Sequence, residues 1–186
     1  MEKDILLPGE RLDEIGFGQL KLIQKPEEFC YGVDAVILAD FAAKAAQKGG
    51  PSMDKAVDLG TGTGIIPLIL SHKTRLSQLW AVEVQTPSFE RACRNAALNG
   101  LQERMTVIRE DVLHLEERFP HWKGAFDLVT TNPPYMTGGT GLINSNQAKS
   151  LARHETTADL EAFIRTSAAL LRDKGQLFMV HRPSRL

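Results

Sequence analysis

From Lys55 onward the chain alternates short apolar runs with stretches of helical periodicity. That alternation limits the folds open to it more than any other feature. The runs are KAVDLG (55–60), LWAVEV (79–84), MTVIR (105–109), FDLVTT (126–131) and GQLFMV (175–180). Between them lie IIPLILSHK (65–73), a stretch from Pro87 to about Leu98 closed by Asn99-Gly100, and the short VLHLEERF (112–119). Ahead of the last run, Leu160, Phe163, Ile164 and Leu171 follow a capping-box pattern at Thr156 and Asp159, which predicts one more helix. Runs that are apolar throughout need cover on both faces, so the reading is α/β: a doubly wound parallel sheet with helices on each side. Ligands of such sheets bind outside the carboxyl ends of the strands, and the candidate site should lie there.

Upstream, RLDEIGFGQLKLIQ (11–24) reads as two short strands around Gly16 and Gly18, a small hairpin. GVDAVILADFAAKAAQ (32–47) follows, with Val33, Ile37 and Phe41 at four-residue spacing, which predicts an amphipathic helix ended by Gly49, Gly50 and Pro51. The expected organisation is a hairpin extension over 1–28 and a catalytic domain over 29–186. At 186 residues the chain is large enough to bury a real core. Lys+Arg is 22 against Asp+Glu 23, so a nucleic-acid partner would have to be held by local basic patches, not by bulk charge. Cys30 and Cys93 form neither a disulfide framework nor a metal-ligand spacing, and no metal is expected. A charged N-terminus and a longest apolar run of only IIPLIL (65–70) predict a soluble, cytoplasmic protein with no membrane partner.

Two segments carry the chemistry. DLGTGTG (58–64) ends the first strand of the alternation, and Gly60, Gly62 and Gly64 allow a tight turn and close approach of backbone to a ligand. Ile65 stands where a dinucleotide fingerprint wants its third glycine, and no Gly-Lys-Ser/Thr ending makes a phosphate loop. VTTNPPYMTGG (129–139) puts two consecutive prolines at the end of a buried strand. A simple turn is made by Asn-Gly or Pro-Asp-Gly, so this stretch signals fixed geometry.

VDLGTGTG resembles motif I of the class I S-adenosylmethionine-dependent methyltransferases, which implies a Rossmann-like sheet. The resemblance places Asp58, Gly60, Thr61, Gly62 and Gly64 around the methionine part of the cofactor. It places Glu83, after AVEV, on the ribose hydroxyls, and Asp111 and Val112, in REDVL, at the adenine. A carboxylate can accept two hydrogen bonds from adjacent hydroxyls, so the role of Glu83 is chemically sound. NPPY is similar to the motif of methyltransferases acting on a nitrogen conjugated to a ring or carbonyl. In that family the Asn132 side-chain oxygen and the Pro133 carbonyl accept the two amine hydrogens, Pro134 helps hold them still, and Tyr135 stacks on the flat substrate group. Asn132 also borders the cofactor in that arrangement.

The flanks narrow the resemblance to the bacterial small-domain methyltransferases, especially the tRNA(Val) adenine-N6 methyltransferases. FCYGVDAVILADF (29–41) is similar to their N-terminal segment and sets Tyr31 and Asp34 near the methionine end of the cofactor. LARHE (151–155) is similar to an element after NPPY. Arg153 and His154, with Lys149 and Arg182, are the candidate contacts to substrate RNA, expected to be a tRNA. The class usually continues past the fifth strand with a helix and two more strands. The reading therefore expects a sheet lacking its last strands, low stability for the size, and either a truncated fragment of a longer methyltransferase or self-association through the last strand. Two other readings stay open: a protein glutamine methyltransferase of the release-factor type, and a non-catalytic RNA- or protein-binding module that keeps the fold.

Overall fold

The computed structural model describes residues 5–28, 30–47, 53–133 and 160–181. A five-stranded, wholly parallel sheet forms the centre, with spatial order β5-β4-β3-β6-β7. Its strands are β3 (Lys55–Leu59), β4 (Gln78–Val82), β5 (Met105–Ile108), β6 (Phe126–Thr131) and β7 (Leu171–Met179). The helices are α1 (Val33–Gln47), α2 (Ile65–Lys73), α3 (Thr86–Leu98), α4 (Leu115–Arg118) and α5 (Leu160–Leu170), with 3-10 turns at Val112–His114 and Pro120–Trp122. The doubly wound α/β architecture is as the alternation requires. Consecutive strand residues divide between two apolar layers, Ala56 and Leu79 with α1 and α2 on one face, Val57 and Val82 with α4 and α5 on the other. The second layer is aromatic: Trp80 and Trp122 meet Phe126 edge-on at 5.2 and 5.1 Å. The order reverses between β3 and β6, so the crevice of such a sheet opens at their carboxyl ends.

The hairpin forms from β1 (Arg11–Glu14) and β2 (Lys21–Gln24), antiparallel. Two asparagines, Asn95 in α3 and Asn99 capping its end, act as a strand for β2. Asn99 accepts from Lys21 N–H at 2.9 Å and donates to its carbonyl at 2.8 Å; Asn95 does the same for Ile23 at 2.7 and 3.3 Å. Spacing of four residues puts both amides on one face of the helix. Glu10, 2% exposed at its side chain, takes both terminal nitrogens of Arg94 at 2.7 and 2.6 Å and Arg91 Nε at 3.1 Å.

Helix α1 forms, but with the opposite face inward to the one its spacing suggested. Val33, Ile37 and Phe41 stand 73%, 61% and 65% exposed, while Ala35, Leu38, Ala39, Ala42 and Ala43 are buried. The small side chains let the helix lie close to its neighbours, and dense packing favours that over burying the larger stripe. Phe41 instead meets Phe178 of β7 edge-on at 5.6 Å. Two smaller expectations are also corrected. Ile164 is 43% exposed, and Leu171 begins β7 where a helical residue was expected. Among the described residues, no helix is long and apolar enough to cross a membrane.

Candidate active site

The end of β3 runs into three glycines whose φ angles are +69°, +57° and +87° at Gly60, Gly62 and Gly64. L side chains rarely adopt this region, so the loop is possible only with this composition. A Cβ on Gly60 would touch the Phe163 ring at 3.4 Å, whereas one on Gly62 would project into open space. The loop thus presents bare backbone at Gly62 to whatever lies over the strand ends. It is tied down from three sides. Thr61 N–H donates to Val82 O at 2.9 Å, Gly62 N–H to Glu83 Oε2 at 2.8 Å, and Asn95 Nδ2 to Thr63 O at 2.9 Å.

Asp58 is 2% exposed, and its Oδ1 accepts from Thr130 Oγ1 on β6 at 2.7 Å. Burial, with the Glu83 charge adding to it, pushes the Asp58 carboxyl up to about 7, against opposition from Thr61 and Thr130. Thr61 Oγ1 stands near this carboxylate without reaching hydrogen-bond geometry. Glu83 is also buried, and burial raises its pKa. Its Oε1 accepts from Gln85 N–H at 2.9 Å, and Oε2 serves Gly62, so both oxygens are held by backbone with lone pairs to spare. Asp111 accepts from Leu113 N–H at 2.9 Å and caps the turn that follows β5. Val112 is 6% exposed and belongs to the buried layer with Leu115 and Phe163. Asp58 near the end of β3, Glu83 directly after β4 and Asp111 after β5 thus stand at the ends of three neighbouring strands. Two strand spacings make the row about 10 Å wide, room for an elongated ligand across the sheet.

Asn132 leaves β6 beside this row. Its Nδ2 donates to Asp34 Oδ2 of α1 at 3.3 Å, and its Oδ1 is buried with no partner. Asp34 thus meets Asn132 directly. Tyr31 is half-buried, its N–H donating to Gln24 Oε1 at 3.2 Å, and burial raises its phenol pKa. Pro133 is buried. Pro134, Tyr135, Lys149, Arg153, His154 and Arg182 lie outside the described residues, as do Thr156 and Asp159 of the capping box.

Three buried side-chain polar atoms without a hydrogen-bond partner occur among the described residues: Asp58 Oδ2, Thr61 Oγ1 and Asn132 Oδ1. Such atoms are rare because each carries an uncompensated desolvation cost. All three lie where β3 and β6 end, the point of strand-order reversal. Sequence reasoning missed Thr130, Asn95 and Gly32. Thr130 was legible only as part of FDLVTT, and the other two act through residues distant in the chain.

Comparison with known proteins supplies the remaining context. The methyltransferase small domain family matches residues 35–185. A tRNA1(Val) (adenine(37)-N6)-methyltransferase of Porphyromonas gingivalis is 28% identical over 174 residues, 94% of this chain and 67% of that protein. The protein of the same name from Tolumonas auensis is 33% identical over 150 residues, 80% of this chain and 57% of that one. The chain thus spans little more than half of the Tolumonas protein and two thirds of the Porphyromonas one. Among solved structures, the SAM-dependent methyltransferase of Agrobacterium tumefaciens superposes with a TM-score of 0.65 at 17% identity, covering 95% of this chain and 55% of that one. M. jannaschii TYW2, solved in complex with AdoMet, gives a TM-score of 0.57 at 15% identity over 90% of this chain and 61% of that one. Both structures share the fold.

Proposed function

The chain belongs to the methyltransferase small domain family, and from that premise we propose that it transfers a methyl group from S-adenosylmethionine to the N6 amine of an adenine in tRNA. The observation that carries this reading is the set of orphaned polar atoms, Asp58 Oδ2, Thr61 Oγ1 and Asn132 Oδ1, gathered at one end of the sheet. The first two fit the ammonium and carboxylate of a methionine moiety: a carboxylate oxygen accepts and a hydroxyl donates. Open space before Gly62 admits such a group against the backbone. In this reading Glu83 accepts from ribose hydroxyls, and Asp111 with Val112 borders the base. Tyr31 closes the methionine end. When bound, S-adenosylmethionine supplies an electrophilic methyl.

The remaining work falls to the chain's own residues. An aromatic amine is a weak nucleophile because its lone pair is delocalised into the ring. Asn132 Oδ1 and the Pro133 carbonyl accept its two hydrogens, which favours a pyramidal nitrogen with the lone pair aimed at the methyl. Consecutive prolines, Pro133 and Pro134, hold these acceptors still, and orientation supplies much of the rate. Tyr135 stacks on the base. No strong base is needed, since the amine proton becomes acidic once the nitrogen carries the methyl. Lys149, Arg153, His154 and Arg182 provide phosphate contacts, and binding through them weakens linearly in log salt. A tRNA substrate puts the reaction in the cytoplasm. The relatives' names support adenine 37 of a valine tRNA as the target.

The test is transfer of tritiated methyl to an in vitro transcript of that tRNA and to the same transcript with guanine at position 37. Label on the first alone is expected. Label on neither transcript, with label on a release-factor glutamine peptide, would replace this reading by the glutamine one. Cofactor binding with no transfer to any acceptor would favour a non-catalytic module.

A further inference from the structure

We propose that Asp34 is a positioning residue that fixes which end of the Asn132 amide faces the substrate, an inference that rests on the N-methyl-transfer reading above. An asparagine amide has a donor end and an acceptor end of nearly the same shape, and packing alone barely distinguishes them. Only the acceptor end serves an amine that must surrender two hydrogens. The carboxylate of Asp34 makes the distinction. An ionised carboxylate only accepts, so Nδ2 of Asn132 turns toward Asp34 Oδ2, at 3.3 Å, and Oδ1 is left pointing away, buried and unpartnered. A flipped amide would set two acceptors against each other.

Asp34 is itself held. Its Oδ1 accepts from the Ala35 N–H at 3.0 Å, in the first turn of α1, and its Oδ2 is the oxygen that meets Asn132. Gly32 makes room for this arrangement, because a Cβ there would lie 2.4 Å from Asp34 Oδ1. The contact joins residues 98 apart in sequence, and so couples the start of α1 to the loop after β6.

The inference sets apart two substitutions that a merely structural role would rank the other way. In Asp34→Asn the new amide keeps its oxygen on the Ala35 N–H and presents its NH2 to Asn132. That inverts the Asn132 amide and offers the substrate a donor. Turnover on the tRNA transcript should fall by about 100-fold or more, as when one group of a preorganised polar site is removed. Asp34→Ala removes the constraint without inverting it and should cost about tenfold, the usual effect of losing an outer partner. If Asp34 only supported the helix start, Asn would replace it better than Ala, since Asn and Asp serve helix N-termini equally well. Binding of S-adenosylmethionine, measured by calorimetry, should stay near the parent value in both variants. A loss of affinity matching the loss of turnover would assign Asp34 to the cofactor and overturn its positioning role.

A readout that needs no activity separates this inference from the functional one. The side-chain NH2 of Asn132, identified in 1H–15N spectra by its absence from Asn132→Ala, should resonate downfield in the parent and lose that shift in Asp34→Asn. A parent chain that methylates no RNA yet shows this shift would sink the proposed function and leave the orientation standing. An Asn132 resonance indifferent to residue 34, or an Asn variant more active than the Ala one, would sink the inference.

Discussion

Asn132 and Asp58 sit in one crevice but answer to different measurements. Replacing Asn132 with Ala deletes an acceptor that matters only when the nucleophile is being aligned. Cofactor affinity should then remain nearly intact while methyl transfer falls by about 1,000-fold or more, the pattern of a lost transition-state interaction. A variant keeping most of its turnover would reduce NPPY to a rigid turn. Asp58 is tested by protons. Its carboxyl is held at about 7, against an ordinary 3.8, chiefly by burial. A group whose folded pKa is raised binds its proton more tightly folded than unfolded. Its contribution to stability is therefore full below about pH 4 and lost as pH rises toward 7. A ligand ammonium beside Oδ2 would reverse the preference and expel the proton. Calorimetric titration near pH 6, in buffers of different ionisation enthalpy, should report release of close to one proton per S-adenosylmethionine bound, fading above pH 7. Buffer-independent heats would remove Asp58 from contact with the ammonium.

At the scale of elements, α3 joins the hairpin to the glycine loop. Asn95 serves both, bonding Ile23 on one side and Thr63 O on the other, and the buried carboxylate of Glu10, with buried Arg91 and half-buried Arg94, clamps the hairpin along the same helix. Hydrogen bonds from Arg94 hold the Glu10 carboxyl down at about 2, from 4.5. Here the sign is opposite to that of Asp58: the stabilisation is complete above pH 4.5 and is lost as pH falls toward 2. Glu10→Gln takes from Arg94 its carboxylate and from buried Arg91 one of two, Glu28 remaining at 3.0 Å, and should destabilise the chain by about 3 kcal/mol at pH 7. Urea unfolding at pH 7 and again near pH 3 should show the difference from the parent shrinking with acidity. An equal difference at both values would mean that charge is not what the clamp uses.

For the whole molecule, the decisive surface is the outer side of β7 with the stripe of α1 beside it. The first half of β7 carries Arg172, Asp173 and Lys174, which discourage pairing, but the second half ends in Leu177, Phe178 and Met179. Phe178 touches Phe41, and Phe41, Ile37 and Val33 are exposed on the neighbouring helix. If this edge, which has a neighbour on one side only among the described residues, is open in the chain, a second copy is expected to pair there. Sedimentation velocity of the 186-residue chain should show concentration-dependent association that weakens in Ile37→Lys/Phe41→Ser. A chain monomeric at every concentration would mean that this edge is protected.

The parallel sheet and its helices followed from the sequence by itself, and so did the choice of the strand ends as the place to look for a site. Apolar runs covered on both sides leave a parallel sheet as the economical solution, and the rule for strand ends then finds DLGTGTG, Glu83 and Asp111 without coordinates. Gly60 and Gly62 were legible because a left-handed backbone needs glycine whatever surrounds it. Which face of α1 goes inward was decided only by tertiary structure. Two apolar faces, one of large residues and one of alanines, both satisfied the helical period, and close approach to α2 and the sheet selected the alanines. The bonds of Asp34 to Asn132, Asp58 to Thr130 and Asn95 to Ile23 lie equally beyond local pattern. Each joins residues more than 70 positions apart, and a side-chain hydrogen bond of 3 Å reach is set by where packed elements come to rest, which periodicity along the chain does not encode.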